Sequence, residues 1–288
     1  MRVFVAGATG ALGRPVVRQL VAAGHDVIGL TRSPGRRGGL EAMGARPVVA
    51  DALDAPALAR LLRDVHPSHV VHPLTALPPE GPLRSGDLHE TNVLRRTGTA
   101  NLVAAAVEAG AQRLVAESFP AVYGRDFDVP AVEAEALAPQ PPRGWGDAVA
   151  ALRSLEAQLL GARREGRLET VSMRVAGIYG PDVASTVGMA RRLRRRQVFV
   201  PTAAPGVISF VHADDAASAI VAPSSGRTPP PSTTWPTTSR SPSSSSPARR
   251  RRLRGAPAPD RAGLAPALRG SSPPIGGLIA MCPCWHDP

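Results

Sequence analysis

The chain has 288 residues, 43% of them hydrophobic, with 34 basic and 23 acidic side chains and a net charge of +11. No apolar run approaches the roughly 20 residues that span a bilayer and the chain opens directly on a strand, so a soluble, cytoplasmic protein with no membrane partner is expected. Residues 223–288 hold nine Arg and two Asp, which leaves only +4 on the first 222 residues and argues against a nucleic-acid partner. All basic residues are arginine; the chain contains no lysine. Its two cysteines, Cys282 and Cys284, lie with His286 on a Pro-rich terminal stretch, where neither a disulfide framework nor a metal site is expected.

Arg2 to Ala6 is a short apolar run with β-branched members and predicts a buried parallel strand. Gly7, Gly10 and Gly13 follow at G-x-x-G-x-x-G spacing, and Arg14 to Ala23 predicts a helix. Between a first strand and a first helix, such glycines serve a tight turn, close approach of a pyrophosphate to the backbone, and close helix–strand packing. The helix N-terminus offers free N–H groups to the phosphates. Gly7, Thr9, Gly10, Ala11, Leu12 and Gly13 are therefore candidate dinucleotide-binding residues.

His25 to Thr31 predicts a second strand ending at Arg32, with Arg36 and Arg37 beyond it. The end of this strand meets the adenosine ribose, where an acidic residue favours a free 2′-hydroxyl and an arginine accommodates a 2′-phosphate. No acidic residue occurs between Asp26 and Glu41, so NADP is expected, through Arg32, with NAD as the alternative; Arg36 and Arg37 also fit a solvated loop.

Arg46 to Ala50 predicts a third strand, followed by Asp51 and Ala52 as cofactor candidates. Asp51 is placed either to reach an adenine amino group or to form the turn, and Asp54 is the expected N-cap of a helix through Arg63 with Pro56 in its first turn. Ser68 to Pro73 predicts a fourth strand. Its carboxyl end, with Leu74, lines the expected ligand crevice, and His72 is expected to pack at a loop edge. A loop over 74–86 leads to one long helix from Asp87 to Gly110 that carries Asn92, a further cofactor candidate. Gln112 to Ala116 predicts a fifth strand leading to Ser118 and Val122-Tyr123-Gly124. A polar excursion over 125–146, a helix over Asp147 to Arg164, and a sixth strand over Leu168 to Val175 come next. Gly177 to Pro181 reads as a loop, Met189 to Arg196 as an Arg-rich helix with a solvated face, and short strands are expected near Val198–Val200 and Val207–Val211. The alternation of strands and helices predicts an α/β, doubly wound parallel sheet, Rossmann-like.

Taken together, the motif over Gly7 to Gly13, Asp51 to Asp54, His72 to Thr75, Thr91-Asn92-Val93, Val122-Tyr123-Gly124, the R-x-x-x-x-Y-G-P stretch from Arg174 to Pro181, and Phe210 to Asp215 resemble the extended short-chain dehydrogenase/reductase family, the NAD-dependent epimerase/dehydratase group. The resemblance covers about residues 1–222. It implies NAD(P) bound across the carboxyl edge of the sheet, with a small, here incomplete C-terminal substrate lobe closing over a small-molecule substrate, often a nucleotide sugar. A homodimer stands as an open expectation.

The family's chemistry rests on a Tyr-x-x-x-Lys pair, in which the lysine lowers the tyrosine's pKa for proton exchange with the substrate during hydride transfer. Alignment on Glu156 puts Ala148 and Leu152 at those positions, and Phe119 stands at the position of the family's catalytic Ser/Thr, with Ser118 beside it as the remaining catalytic candidate. Arg174 and Tyr179 are substrate candidates; Arg174 also fits an anchor for the loop after the sixth strand, and Tyr179 a place at the crevice mouth. The expected activity is that of an NAD(P)-dependent oxidoreductase or an epimerase/dehydratase-like protein acting on a small carbonyl/hydroxyl compound or nucleotide sugar. The alternative is an inactive NADP-binding sensor or regulatory module.

Residues 223–288 are dominated by Pro, Ser, Thr, Arg and Gly without periodicity, the composition of a disordered tail. Thr233 to Pro242 has a second explanation: read one nucleotide earlier, suitable codons give Tyr-Asn-Val-Ala-Asp-Asp-Glu-Pro-Val-Ala, which resembles a segment that family members carry after their H-x-x-D-x-A region. A frameshift near residue 223 is the hypothesis, and the coding DNA tests it by whether the neighbouring frame is open there.

Overall fold

The computed structural model describes residues 1–79, 81–82, 84–123, 144–197 and 209–224. Expectations over 125–143, near Val198–Val200, and for the tail from 225 onward lie outside the described residues, as do Gly124 and the Cys282, Cys284, His286 group.

Six parallel strands form the main sheet: β1 (Arg2–Ala6), β2 (Asp26–Thr31), β3 (Arg46–Val49), β4 (His69–His72), β5 (Arg113–Ser118) and β6 (Glu169–Arg174), in the order β3-β2-β1-β4-β5-β6. The helices are α1 (Gly13–Ala22), α2 (Arg37–Glu41), α3 (Ala55–Val65), α4 (His89–Val93), α5 (Thr99–Glu108), α6 (Gly146–Arg164), α7 (Ala184–Arg194) and α8 (Ala213–Ser224). Strand order reverses direction between β1 and β4, which opens a crevice at their carboxyl ends.

Alternation along each strand divides the core into two layers. Phe4, Ile28, Val70 and Leu114 join Leu58 and Leu62 of α3, Leu102 of α5 and Leu155 and Leu159 of α6. Val3, Val5, Val71, Val115 and Met173 face the other way onto Val16, Val17 and Leu20 of α1 and Ala216 and Ile220 of α8. Both faces of the sheet are covered, which is why its strands read as continuous apolar runs. Asp54 caps α3 as expected, its Oδ1 accepting from the Ala57 N–H at 3.0 Å, and His66 ends that helix in the left-handed region at φ +44°.

Several local expectations differ from the structure. The single helix over 87–110 is instead a 3₁₀ turn (Ser85–Leu88), α4, a π-turn over Leu94–Gly98, and α5. The π-turn departs from the regular ladder, and the Arg96 carbonyl accepts a hydrogen bond from Gln158 Nε2 of α6 at 3.1 Å. The loop expected over Gly177 to Pro181 contains β7 (Gly177–Tyr179), which pairs in parallel with β8 (Phe210–His212). Three residues are too few to show alternation, and the partner lies more than thirty positions away. The Arg-rich helix α7 begins at Ala184, earlier than expected, and its arginines are mostly exposed. The last described helix continues to Ser224, with the Pro223 carbonyl held by Arg113 Nη1.

Candidate functional site

The glycine turn after β1 shows three separate constraints. Gly7 has φ +90°, a conformation that side chains rarely adopt, and a Cβ there would lie 3.0 Å from the Pro73 carbonyl oxygen after β4. A Cβ on Gly13 would lie 1.9 Å from the Gly7 carbonyl oxygen, so the start of α1 packs directly on the turn. Gly10 closes the turn, donating its N–H to Gly7 at 2.9 Å; a Cβ there would meet only that same oxygen, at 3.2 Å, and otherwise open space. No side chain caps α1 and its first turn holds no acidic residue. A tight turn with one open glycine face and an uncapped helix N-terminus fits a diphosphate. Thr9, Ala11 and Leu12 lie in this loop, and Leu74 packs against it, its Cα 3.2 Å from where a Gly7 Cβ would be.

Arg32 is exposed after β2 and makes no hydrogen bond or ion pair among the described residues. Arg36 is the arginine that reaches the glycine loop, its Nη1 donating to Thr9 Oγ1 at 3.4 Å. If these side chains meet a 2′-phosphate, Arg32→Asp should weaken NADPH more than NADH, and Arg36→Ala should do so to a smaller degree; equilibrium titration with both cofactors checks this. Equal loss of both cofactors in Arg32→Asp contradicts the assignment of Arg32.

After β3, Asp51 forms the turn: its Oδ1 accepts from the Leu53 N–H at 2.9 Å. The Ala52 carbonyl is held by Asn101 Nδ2 of α5 at 2.9 Å. Asn101 belongs to a stretch conspicuous in the sequence, but only packing of α5 on this turn reveals its part. Asn92 is buried, and its amide is engaged on α6: Nδ2 donates to Asp147 Oδ2 at 2.7 Å, and Oδ1 accepts from Arg95 at 3.4 Å. Asp147 also pairs with Arg96, and these hydrogen bonds, Arg96 first, hold its carboxyl below the usual range.

His72 is the last residue of β4 rather than part of a loop edge. It is fully buried, its Nε2 lies 2.9 Å from Thr99 Oγ1, and burial lowers its pKa to about 4, so it is neutral near pH 7.

At the ends of β5 and β6 a buried network gathers several candidates. Ser118 and Arg174 are register neighbours. Glu156 of α6 accepts from Ser118 Oγ at 2.7 Å and takes Arg174 bidentately, at 2.9 Å from Nε and 2.7 Å from Nη2. The guanidinium also stacks over the Tyr123 ring, 4.6 Å from its centroid. Arg174 thus ties β6 to α6 and to the turn after β5, and the Ser118 hydroxyl donates its hydrogen bond to Glu156. Tyr179 lies apart, exposed on β7 and edge-on to His212 at 5.3 Å.

Ala148 and Leu152 are 2% and 0% exposed, packed with Leu88, Val122, Tyr123 and Trp145. No proton chemistry is available from either side chain. A second polar pair lies close by and has no forewarning in the sequence. Glu117, the residue before Ser118, makes no hydrogen bond or ion pair among the described residues, and burial raises its carboxyl pKa to about 7, against the opposing pull of Arg95. Arg95, in the π-turn, is itself lowered to about 10 by burial. Among the described residues no cluster of three or more His, Cys, Asp or Glu could hold a metal, and no helix is long and apolar enough to cross a membrane.

The sequence model of the NAD dependent epimerase/dehydratase family matches residues 3–226. A 3-diazoavenalumate denitrifying reductase from Streptomyces sp is 38% identical over 77% of this chain and 71% of its own. A 2-alkyl-3-oxoalkanoate reductase from Stenotrophomonas maltophilia is 27% identical over 76% of this chain and 64% of its own. Among solved structures, UDP-glucose 4-epimerase from Thermus thermophilus in complex with NAD superposes with a TM-score of 0.61 at 27% identity, covering 77% of this chain and 74% of that one. The glycine turn, the crevice at the strand reversal and the matched sequence lead to one assignment: the chain belongs to the NAD dependent epimerase/dehydratase family.

Proposed function

We propose that the chain is an NADP(H)-dependent reductase of a small electrophilic molecule, a carbonyl compound or, as the name of the Streptomyces relative suggests, a diazo compound. The carrying observation is the phosphate turn over Gly7 to Gly13, whose open Gly10 face and uncapped helix N-terminus lie at the crevice where the strand order reverses. When bound, the reduced cofactor supplies a hydride. In this proposal Gly10 and the first N–H groups of α1 hold the diphosphate, Arg32 and Arg36 the 2′-phosphate, and Asp51, Ala52 and Leu74 border the nucleoside. Ser118 and Arg174 shape the floor of the crevice through Glu156, and Asn92 fastens α4 to α6 beneath it. Two relatives that share over three quarters of this chain carry reductase names, which favours reduction over epimerisation of a nucleotide sugar.

The test is titration with NADPH and NADH, then a turnover screen with carbonyl and diazo substrates. NADPH binding tighter than NADH, with hydride consumed in at least one substrate class, is the expected result. Tight NADPH binding with no turnover of either class would remove the reductase reading and leave a nucleotide-binding sensor, the reading that the closed Ala148 and Leu152 positions favour.

A further inference from the structure

Reduction of either substrate class consumes one proton per hydride. A carbonyl gains a C–H bond from the hydride and an O–H bond from the proton as its C=O π bond breaks. A diazo carbon is protonated to a diazonium, and the hydride then forms the second C–H bond while the C–N bond leaves with its electrons as dinitrogen. The chain has no lysine; Tyr123 packs against Ala148 and Leu152 with its ring under the Arg174 guanidinium, which hydrogen-bonds to it, and Tyr179 lies on β7 against His212. The usual tyrosine–lysine pair is therefore replaced by another proton source.

We propose that Glu117, at the carboxyl end of β5, is the proton donor of this reaction, with Arg95 of the π-turn as the neighbouring charge that acts on it. The inference rests on the reductase reading above. Glu117 is the second-last residue of β5, paired in register with Met173 and next to Ser118, on the edge of the sheet where the crevice lies. The carboxyl is partly buried and carries no hydrogen bond among the described residues, whereas Glu156 is taken by Ser118 and Arg174, Asp147 by Arg96 and Asn92, and Asp51 by Leu53. Arg95 makes a single long hydrogen bond, to Asn92, and its charge acts on Glu117 without closing into an ion pair with it. A π-turn inside a helix is a frequent mark of a functional position, and here it brings Arg95 inward while Arg96 turns to Asp147.

The charged surroundings are consistent. On the elements packed against β5, His72 of β4 is neutral near pH 7, Arg174 of β6 is closed on Glu156 of α6, and Asp214 of α8 lies on Arg18 and His212. Arg95 is the charge that acts on Glu117. A carboxyl titrating at about 7 is protonated often enough to donate near neutral pH, and solvent can restore the proton.

The experiment uses the full chain and the variants Glu117→Gln, Glu117→Asp and Arg95→Met. Wild-type kcat/KM should fall above about pH 7. Glu117→Gln should abolish that break and lower kcat by about 10²- to 10⁴-fold while leaving NADPH affinity within a few-fold. Glu117→Asp should restore part of the rate together with a pH break, which loss of a merely structural carboxylate would not. Arg95→Met, by removing the nearby positive charge, should move the break to higher pH. Wild-type kcat and an unchanged profile in Glu117→Gln overturn the proposal, as does an unmoved break in Arg95→Met. Binding supplies a second readout should no substrate turn over. The ratio of NADP⁺ to NADPH affinity should rise as Glu117 ionises, because the oxidised nicotinamide is positive, and Glu117→Gln should flatten it. A flat wild-type ratio overturns the placement of Glu117 even where cofactor binds, and no cofactor binding at all overturns this proposal and the reductase reading together.

Discussion

Gly13→Ala should abolish cofactor binding and destabilise the protein by about 3 kcal/mol, the upper end for overpacking, which in a chain of this size lowers Tm by roughly 6–12 °C. The added Cβ would stand 1.9 Å from the Gly7 carbonyl oxygen and within 3 Å of the Gly7 carbonyl carbon and the Ala8 Cα. These are backbone atoms of the turn itself, so relief requires moving α1 away from β1. Gly10→Ala is the informative partner. Its Cβ would meet one oxygen, at 3.2 Å, and otherwise open space, so the stability cost should stay near about 1 kcal/mol while cofactor affinity falls. Thermal unfolding and NADPH titration of the two variants separate packing from ligand approach. Gly10→Ala with full cofactor affinity would contradict the placement of a diphosphate on that glycine.

Glu156→Ala is expected to be the most damaging change outside the glycine turn, costing about 3–5 kcal/mol, because it leaves the Arg174 guanidinium buried without its carboxylate. Both side chains are 13% exposed, and the same carboxylate accepts the Ser118 hydroxyl. Stacking on Tyr123 retains part of the cation's stabilisation, since the ring face attracts positive charge without accepting a strong hydrogen bond. Glu156→Gln, which keeps an acceptor of the same shape, should cost clearly less. Urea denaturation of Glu156→Ala, Arg174→Met and the double variant checks the coupling: the double variant should be much less destabilised than the two single losses summed. Additive losses would mean that the two side chains act independently.

The comparison of these two sites shows how legibility depends on sequence distance. The glycine turn was readable because its constraints fall within seven consecutive residues and repeat a spacing that few other structures require. Asp54 and Pro56 were readable for the same reason, as a cap and a first-turn proline act on the residues beside them. Ser118, Glu156 and Arg174 are brought together from β5, α6 and β6, and no local pattern announces their shared carboxylate. Arg36 over Thr9 is a similar case: the absence of acids after β2 pointed to an arginine, and only the path of the loop between β2 and α2 brings Arg36 to the glycine turn.

What the sequence by itself determined was the order of the six strands of the main sheet and of the longer helices between them, the dinucleotide turn and the family resemblance, since each depends on short-range periodicity or on motifs with fixed spacing. The tertiary structure alone decided which polar groups are satisfied and which are left open. The π-turn inserted within an apparently continuous helix, the pairing of β7 with β8, and the isolation of the Glu117 carboxyl opposite Arg95 all arise from contacts between distant segments. Burial and charge at Glu117 are sums over neighbours that the chain brings together only on folding, which is why the residue next to Ser118 carried no signal of its own in the sequence.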